Sequence, residues 1–212
     1  MDVVVRELDG PSELTAAARL YRSVFGYTQP EYGVSPRLLA ALRENSGSVI
    51  GALDPAGTMI GFCFGFSAVD RGELYHYSQA AVVDAAAQGL GIGRRLKQAQ
   101  AQTARGTGAR TMRWTFDPYA LRNAHFNLNV LGATGIRFLP DYYGGGTDRV
   151  LVSWDLWHAR KPGVPAGTLE SPATDRAAQR SGLERHFATG ARWTGVTHDA
   201  DRVTCTFEND ES

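Results

Sequence analysis

Charge of one sign, cysteine and long apolar runs are all scarce in this 212-residue chain, and each scarcity removes a class of function. Lys plus Arg and Asp plus Glu both number 22, so the formal net charge is zero and a nucleic-acid partner held by overall charge is not expected. The two cysteines, Cys63 and Cys205, lie far apart in strand-like runs. They supply neither a disulfide framework nor a metal-ligand spacing, so no metal site is expected, and buried thiols in a reducing cytoplasm are the simpler reading. No apolar run approaches the ~18 residues a membrane span requires. The opening MDVVVRELDG carries an acid at position 2 and only three consecutive valines, which does not fit a signal peptide. The expectation is a cytoplasmic protein without a membrane partner.

Acid is also missing locally. Between Asp84 and Asp117 there is no Asp or Glu, whereas Arg94, Arg95, Lys97, Arg105, Arg110 and Arg113 all fall there. A ligand with several phosphates would suit such a segment. The rest of the composition, 43% hydrophobic and 21% charged, is that of an ordinary globular protein, and the length predicts one domain with room for a small appendage.

The chain is organised around Ala81 to Arg95, AVVDAAAQGLGIGRR. An apolar run ends at Val83, and a turn with Gln88, Gly89, Gly91 and Gly93 opens into a basic helix. Glycines without Cβ atoms let backbone N–H groups approach an anion, and the helix adds the positive end of its dipole. A Walker loop would need Gly-Lys-Ser/Thr where Gly93-Arg94-Arg95 stands. A dinucleotide fingerprint would need G-x-G-x-x-G and an acid roughly 20 positions further on, and neither is present. What remains, Q-x-x-G-x-G directly after a strand, closely resembles motif A of the GNAT superfamily of acyl-CoA-dependent N-acetyltransferases.

The order of elements agrees with that resemblance. Val3 to Leu8 reads as a strand, ended by Asp9-Gly10-Pro11, and Ser12 caps a helix that stops at Gly26. Ser35-Pro36 starts a second helix. The loop between them, Tyr27 to Val34, is aromatic and polar. Ser48 to Leu53 and Met59 to Val69 form a hairpin across Asp54-Pro55-Ala56-Gly57, and Leu74 to Val83 is the strand that feeds the cradle. A helix from about Gly93 to Arg105 and a strand from Arg110 to Phe116 complete a right-handed βαβ unit. A helix over about Leu121 to Leu131 and strands near Gly135 to Leu139 and Val150 to Leu156 follow. Arg160 to Pro172 reads as a linker, followed by a helix near Thr174 to Ala188 and a hairpin of Arg192 to Val196 with Val203 to Phe207. The expected fold class is α/β (α+β): a GNAT-like mixed, mostly antiparallel seven-stranded sheet with helices on both faces and a C-terminal helix-hairpin tail. The expected division is 1–157 for the acyl-CoA-binding domain and 158–212 for the linker and extension. WTFDP, RNAHFNLNVLGA and FLPDYYG further resemble a subgroup of GNAT proteins of unassigned substrate.

The resemblance implies a function and a set of site residues. It places Ala81, Val82 and Val83 on the pantetheine and acetyl groups of acetyl-CoA, and Gln88, Gly89, Leu90, Gly91, Ile92, Gly93 and Arg94 on its pyrophosphate, with Arg95 and Lys97 in reach of phosphates. The reaction needs a neutral amine, an oxyanion donor and a proton donor for the leaving thiolate. The family pattern N-x-x-A-x-x-L-Y-x-x-x-G, anchored on Ala124 and Gly132, puts Leu128 where the tyrosine donor usually stands. Substitute donors are Tyr142, Tyr143, His125 and Tyr119. His76 and Glu73 are candidate bases, and Asn123 is a candidate cofactor contact. The polar face His125 to Asn129 is a candidate for acceptor or cofactor contacts. The implied activity is acetyl or other acyl transfer from acetyl-CoA to a primary amine of a small molecule or peptide, with no metal. Loops Tyr27 to Val34 and Leu139 to Arg149 would set the acceptor, and the tail offers a surface on which a homodimer could form. The other reading is a non-catalytic acyl-CoA-binding or protein-interaction module of the same fold.

Overall fold

The computed structural model describes residues 2–210. Two compact units divide the chain, Met1–Met112 and Arg113–Ser212.

The first unit contains β1 (Val4–Glu7), α1 (Gly10–Phe25), a short 3₁₀ turn, α2 (Pro36–Glu44), β2 (Ser48–Leu53), β3 (Met59–Asp70), β4 (Glu73–Val83), a second 3₁₀ turn (Ala85–Ala87) and α3 (Ile92–Gly106), and ends within β5 (Thr111–Phe116). β1 to β4 form an antiparallel meander. Arg110 N–H donates to Leu74 C=O at 3.0 Å, so β5 begins beside the beginning of β4, as a crossover through α3 requires.

α1 starts earlier than expected. Asp9, not Ser12, is the cap: its Oδ1 accepts from Gly10 N–H at 2.9 Å, while Glu13 Oε2 accepts from Asp9 N–H at 2.8 Å. This reciprocal bonding satisfies the helix's first donors, and Pro11 falls in the first turn, where a missing N–H costs nothing. Gly26 ends the helix in the left-handed region and Ser35 caps α2, both as expected.

Alternation along the meander sorts the core into two faces. Val49, Phe62 and Phe64 pack with Leu14, Ala17 and Leu20 of α1 and Leu39 of α2. Ile50, Ala52 and Cys63 pack with Ile92 and Leu96 of α3. Every residue of β2 is buried, as a strand covered on both sides must be. α3 approaches β3 over Gly61, where a Cβ would lie 3.0 Å from Ile92 Cγ2 and 3.1 Å from Leu96 Cδ1. This is what the glycine contributes within the strand.

The second unit carries α4 (Leu121–His125), a π-helical turn (Phe126–Val130), β6 (Thr134–Leu139), β7 (Arg149–Asp155), β8 (Val164–Pro172), α5 (Arg176–Ala188), β9 (Arg192–Asp199) and β10 (Arg202–Asn209). Its strands run in the order β7-β6-β9-β10-β8. The fold is a mixed α+β one, with ten strands among the described residues, not the seven expected. Two misreadings account for the difference. Residues 164–172, read as linker because of their proline and glycine, pair with β10 along nearly its whole length. The hairpin β9–β10 is not a tail either, because β9 joins β6 at Gly135↔Trp193. Trp193 and Phe207, both fully buried, supply the core that makes this pairing worthwhile, with His186 stacked on Phe207 at 4.0 Å.

One buried carboxylate organises the loop between β6 and β7. Asp148 accepts from Tyr119 Oη at 2.7 Å and from Asp141 N–H at 3.0 Å, with Arg180 at 3.5 Å. Burial alone would raise its pKa, but these donors and cations outweigh burial and hold it below the ordinary carboxylate value. Its contribution to stability is therefore present at neutral pH and is lost as pH falls through the folded value. Asp148→Ala is expected to cost about 2–4 kcal/mol, read from denaturant midpoints at pH 7, with a smaller difference from wild type near pH 3.

Candidate functional site

The cradle is built within the first unit. Asp84 caps the 3₁₀ turn through Ala86 N–H at 2.9 Å, and Gly89 and Gly91 then take φ of +80° and +74°. A Cβ at either glycine would meet nothing within 4 Å, so packing does not demand glycine there. The left-handed backbone does. Gly91 is the N-cap of α3, no side chain caps the helix, and its first internal bond is Arg95 N–H to Gly91 C=O at 3.1 Å. The N–H groups of Ile92, Gly93 and Arg94 are therefore left without helical acceptors at the positive end of a 15-residue helix. Gln88, Gly89, Leu90 and Arg94 are exposed around them. These residues fit a pyrophosphate: open space, orphan donors, a helix dipole and a cation.

Two of the expected cations are employed elsewhere. Arg95 Nη2 donates to Val3 C=O at 2.6 Å, tying α3 to the chain's beginning. Lys97 is 4% exposed and donates to Ser78 Oγ at 2.7 Å. It is a core residue, not a phosphate contact on a solvated face.

The strand before the cradle has a feature the sequence did not show. Phe64 pairs with Ala80 but Gly65 pairs with Ser78, so Gln79 is an extra residue, a β-bulge in β4. The bulge exchanges the strand's faces. His76 and Ser78 point to α3, whereas Val82 and Ala80, in phase with them by simple alternation, pack on the α1 side, and Val83 turns to α3. Of the three residues expected on the acyl end, Ala81 is exposed, Val83 is half-buried and Val82 is buried.

On the α3 face lies a buried polar chain. His76 Nε2 meets Ser48 Oγ at 2.8 Å, Gln100 Nε2 donates to Ser48 Oγ at 2.9 Å, Ser78 Oγ donates to Gln100 Oε1 at 2.7 Å, and Lys97 closes on Ser78. Burial first, and the Lys97 charge second, push His76 down to about 4. Burial pushes Lys97 down to about 7, opposed by the neighbouring Cys63. His76 is thus a neutral, enclosed imidazole at neutral pH, while Glu73 is exposed.

The other candidates belong to the second unit. Tyr142 and Tyr143 are exposed, 46% and 61%, and stack edge-on at 4.7 Å on the β6–β7 loop, with the Arg149 guanidinium 5.8 Å from the Tyr143 ring centre. His125 is exposed at the end of α4. No hydrogen bond or ring contact joins it to either tyrosine among the described residues. Tyr119 is committed to Asp148, and burial together with that bond raises its pKa. Leu128 is fully buried. Asn123 is exposed and accepts from Asn127 Nδ2 at 3.2 Å; Asn127 Oδ1 in turn accepts from Trp114 Nε1 at 3.0 Å, and Asn129 Oδ1 from Val196 N–H at 3.1 Å. Asn127 and Asn129 serve the structure of a π-helical turn, closed by Leu131 N–H to Phe126 C=O at 2.9 Å. The expected helix over 121–131 widens into this π-helical turn from Phe126 to Val130.

Near the α1–α2 loop, a hollow of about 300 Å³ is lined by Arg19, Arg22, Pro30, Gly33 and Val34 among others. The same loop displays an aromatic chain: Phe25 stacks on Tyr27 at 5.3 Å, Tyr27 meets Tyr32 at 5.6 Å, and Tyr21 reaches Phe64 of β3 at 6.2 Å.

Comparison with known proteins gives the family. The acetyltransferase (GNAT) family model matches residues 14–132, more than half of the chain, and the chain belongs to that family. No curated protein matches it. Among solved structures, a protein of Desulfovibrio desulfuricans described as a GNAT-family acetyltransferase is 19% identical, with 73% of this chain and 99% of that one covered and a TM-score of 0.60. The ribosomal-protein-S18-alanine N-acetyltransferase of Escherichia coli is 16% identical, with 76% and 97% covered and a TM-score of 0.58. An aminoglycoside 6'-N-acetyltransferase complexed with coenzyme A is 15% identical, with 74% and 99% covered and a TM-score of 0.56. At these identities the likeness is one of fold.

Proposed function

We propose that this protein transfers an acetyl group from acetyl-CoA to a primary amine of a small molecule or peptide. The observation that carries the reading is the uncapped N-terminus of α3, whose first N–H groups have no helical acceptors and which follows two left-handed glycines where an added Cβ would meet nothing within 4 Å. In this role Gly89 to Arg94 hold the pyrophosphate through backbone donors, and Ala81 to Val83 lie along the pantetheine arm and the thioester, which supplies the activated acyl group. The hollow and aromatic loop at Tyr27 to Val34 would receive the acceptor. Tyr142, Tyr143 and His125 are the exposed groups available as proton donors, and the exposed Asn123 is available to the cofactor.

A non-catalytic acyl-CoA-binding module is the second reading, favoured by the buried leucine at position 128. Release of free thiol from acetyl-CoA in the presence of an amine panel separates the two. The enzyme reading expects amine-dependent release that Gly91→Trp abolishes. Binding without release for any amine would favour the module. Within the enzyme reading, Tyr143→Phe is expected to lower turnover about 10- to 1000-fold if its hydroxyl is the proton donor, with little change in acetyl-CoA affinity. An unaltered rate would exclude Tyr143 from that role.

A further inference from the structure

We propose that Lys97 is a positioning residue: through Ser78 it fixes the bulge at Gln79 and so sets which face of β4 the stretch Ala81 to Val83 presents to acetyl-CoA. The inference rests on the cofactor reading given above, and its grounds are geometric.

A β-bulge is one residue of slack, and a slip by one residue moves every later side chain to the opposite face. In β4 the consequence would be severe, because the residues that follow the bulge are those assigned to the pantetheine arm. Beyond the bulge Val82 sits among Phe62, Phe64 and α1, and before it Tyr77 meets Phe66 of β3 at 5.5 Å. At the bulge itself the restraint from α3 is polar. Ser78, the last residue paired ahead of Gln79, gives its hydroxyl hydrogen to Gln100 Oε1 at 2.7 Å and takes one from Lys97 Nζ at 2.7 Å. One donor and one acceptor position of that hydroxyl are thereby filled, and both partners come from α3.

α3 is also the helix whose N-terminus forms the cradle. Ile92 to Arg94 offer the N–H groups; Lys97 and Gln100, one and two turns later, hold the bulged strand. A single rigid element thus spaces the pyrophosphate donors from the strand that receives the arm. Gly65 belongs to the same arrangement, since a Cβ there would lie 2.6 Å from His76 Nε2 and 3.0 Å from Gln100 Nε2. A fully buried lysine is costly, and methionine would fill the same volume more cheaply. Methionine would have no donor to offer Ser78 Oγ, so the bond that ties the residue before Gln79 to α3 would be lost.

The test uses two ligands. Acetyl-CoA carries the pantetheine arm; 3'-phospho-ADP carries the pyrophosphate without it. Calorimetric titration of both into the wild type, Lys97→Met, Ser78→Ala and the double variant is expected to show acetyl-CoA affinity lowered about tenfold or more in each single variant. Affinity for 3'-phospho-ADP should be unchanged. The double variant should lose no more than the weaker single, because the two residues act as one unit. Ser78→Thr, which keeps the hydroxyl, should bind acetyl-CoA more tightly than Ser78→Ala. Equal losses for both ligands would mean that α3 as a whole is disturbed, and unchanged affinities would mean that Lys97 positions nothing; either result overturns the proposal. A wild type that binds neither ligand would instead sink the reading of the cradle, and this inference with it.

Discussion

Replacing Gly65 with alanine is expected to destabilise the first unit by about 3 kcal/mol or more. The new Cβ would sit 2.4 Å from Tyr77 C=O and 2.6 Å from His76 Nε2. The first is backbone of a strand paired on β3, and the second belongs to a buried ring already bonded to Ser48, so neither can withdraw as the tip of a flexible side chain would. Gly51→Ala provides the comparison. There the closest neighbour is Leu8 Cδ2 at 2.3 Å, the end of a side chain that can change rotamer, and the cost should be smaller. Urea midpoints of the two variants decide the matter. A Gly65→Ala variant as stable as the wild type would show that the polar chain is not packed as described.

The stability of the first unit should also rise with pH between about 7 and 9, before ionisation of Cys63 in the unfolded chain begins to oppose it. Lys97 has a folded pKa near 7 against an ordinary 10.5. Below pH 7 the ammonium is charged in both states and the full cost of burying it is present. Between about 7 and 10.5 the unfolded chain binds the proton and the folded chain does not, so the free energy of unfolding increases with pH. The lysine's own gain is on the order of 5 kcal/mol at ~1.4 kcal/mol per pKa unit, offset above pH 9 by the buried Cys63 thiol, which burial pushes up to about 12. His76, lowered to about 4 from 6.5, adds a separate loss of stability only as pH falls below 6.5. Denaturant unfolding of wild type and Lys97→Met at several pH values from 7 to 10 isolates the lysine. The wild type is expected to gain on the variant steadily across that window. Parallel curves would contradict a buried lysine that releases its proton on folding.

The cradle was legible from the sequence because its chemistry depends on spacing: glycines at positions 89 and 91 must be glycine for their φ, and the helix start must follow at once. Element order in the first unit was legible for the same local reasons, through turn residues such as Asp54 to Gly57 and the Ser35-Pro36 cap. What escaped depends on distant partners. Lys97 lies on a helix rich in Arg and Gln and reads as part of its basic face; its burial and its bond to Ser78, nineteen residues earlier, depend on the tertiary fold. The bulge at Gln79 leaves no mark in LYHYSQAAVV, where every residue suits a strand. Residues 164–172 look like linker because Pro165 and Gly167 weaken a strand locally, yet pairing with β10 outweighs that preference. His125 to Asn129 suggested a ligand-binding face, whereas Asn127 and Asn129 answer to Trp114 and to β9.

In the proposed function the turn between Gln88 and Arg94 holds the pyrophosphate of acetyl-CoA. Calorimetric titration of acetyl-CoA into the wild type and into Gly91→Trp tests it most directly. The wild type should bind one equivalent, and the variant should bind about a hundredfold more weakly or not at all, because the indole would occupy the open space in front of the helix and strain a left-handed backbone. Equal binding by both proteins, or none by the wild type, would contradict the account.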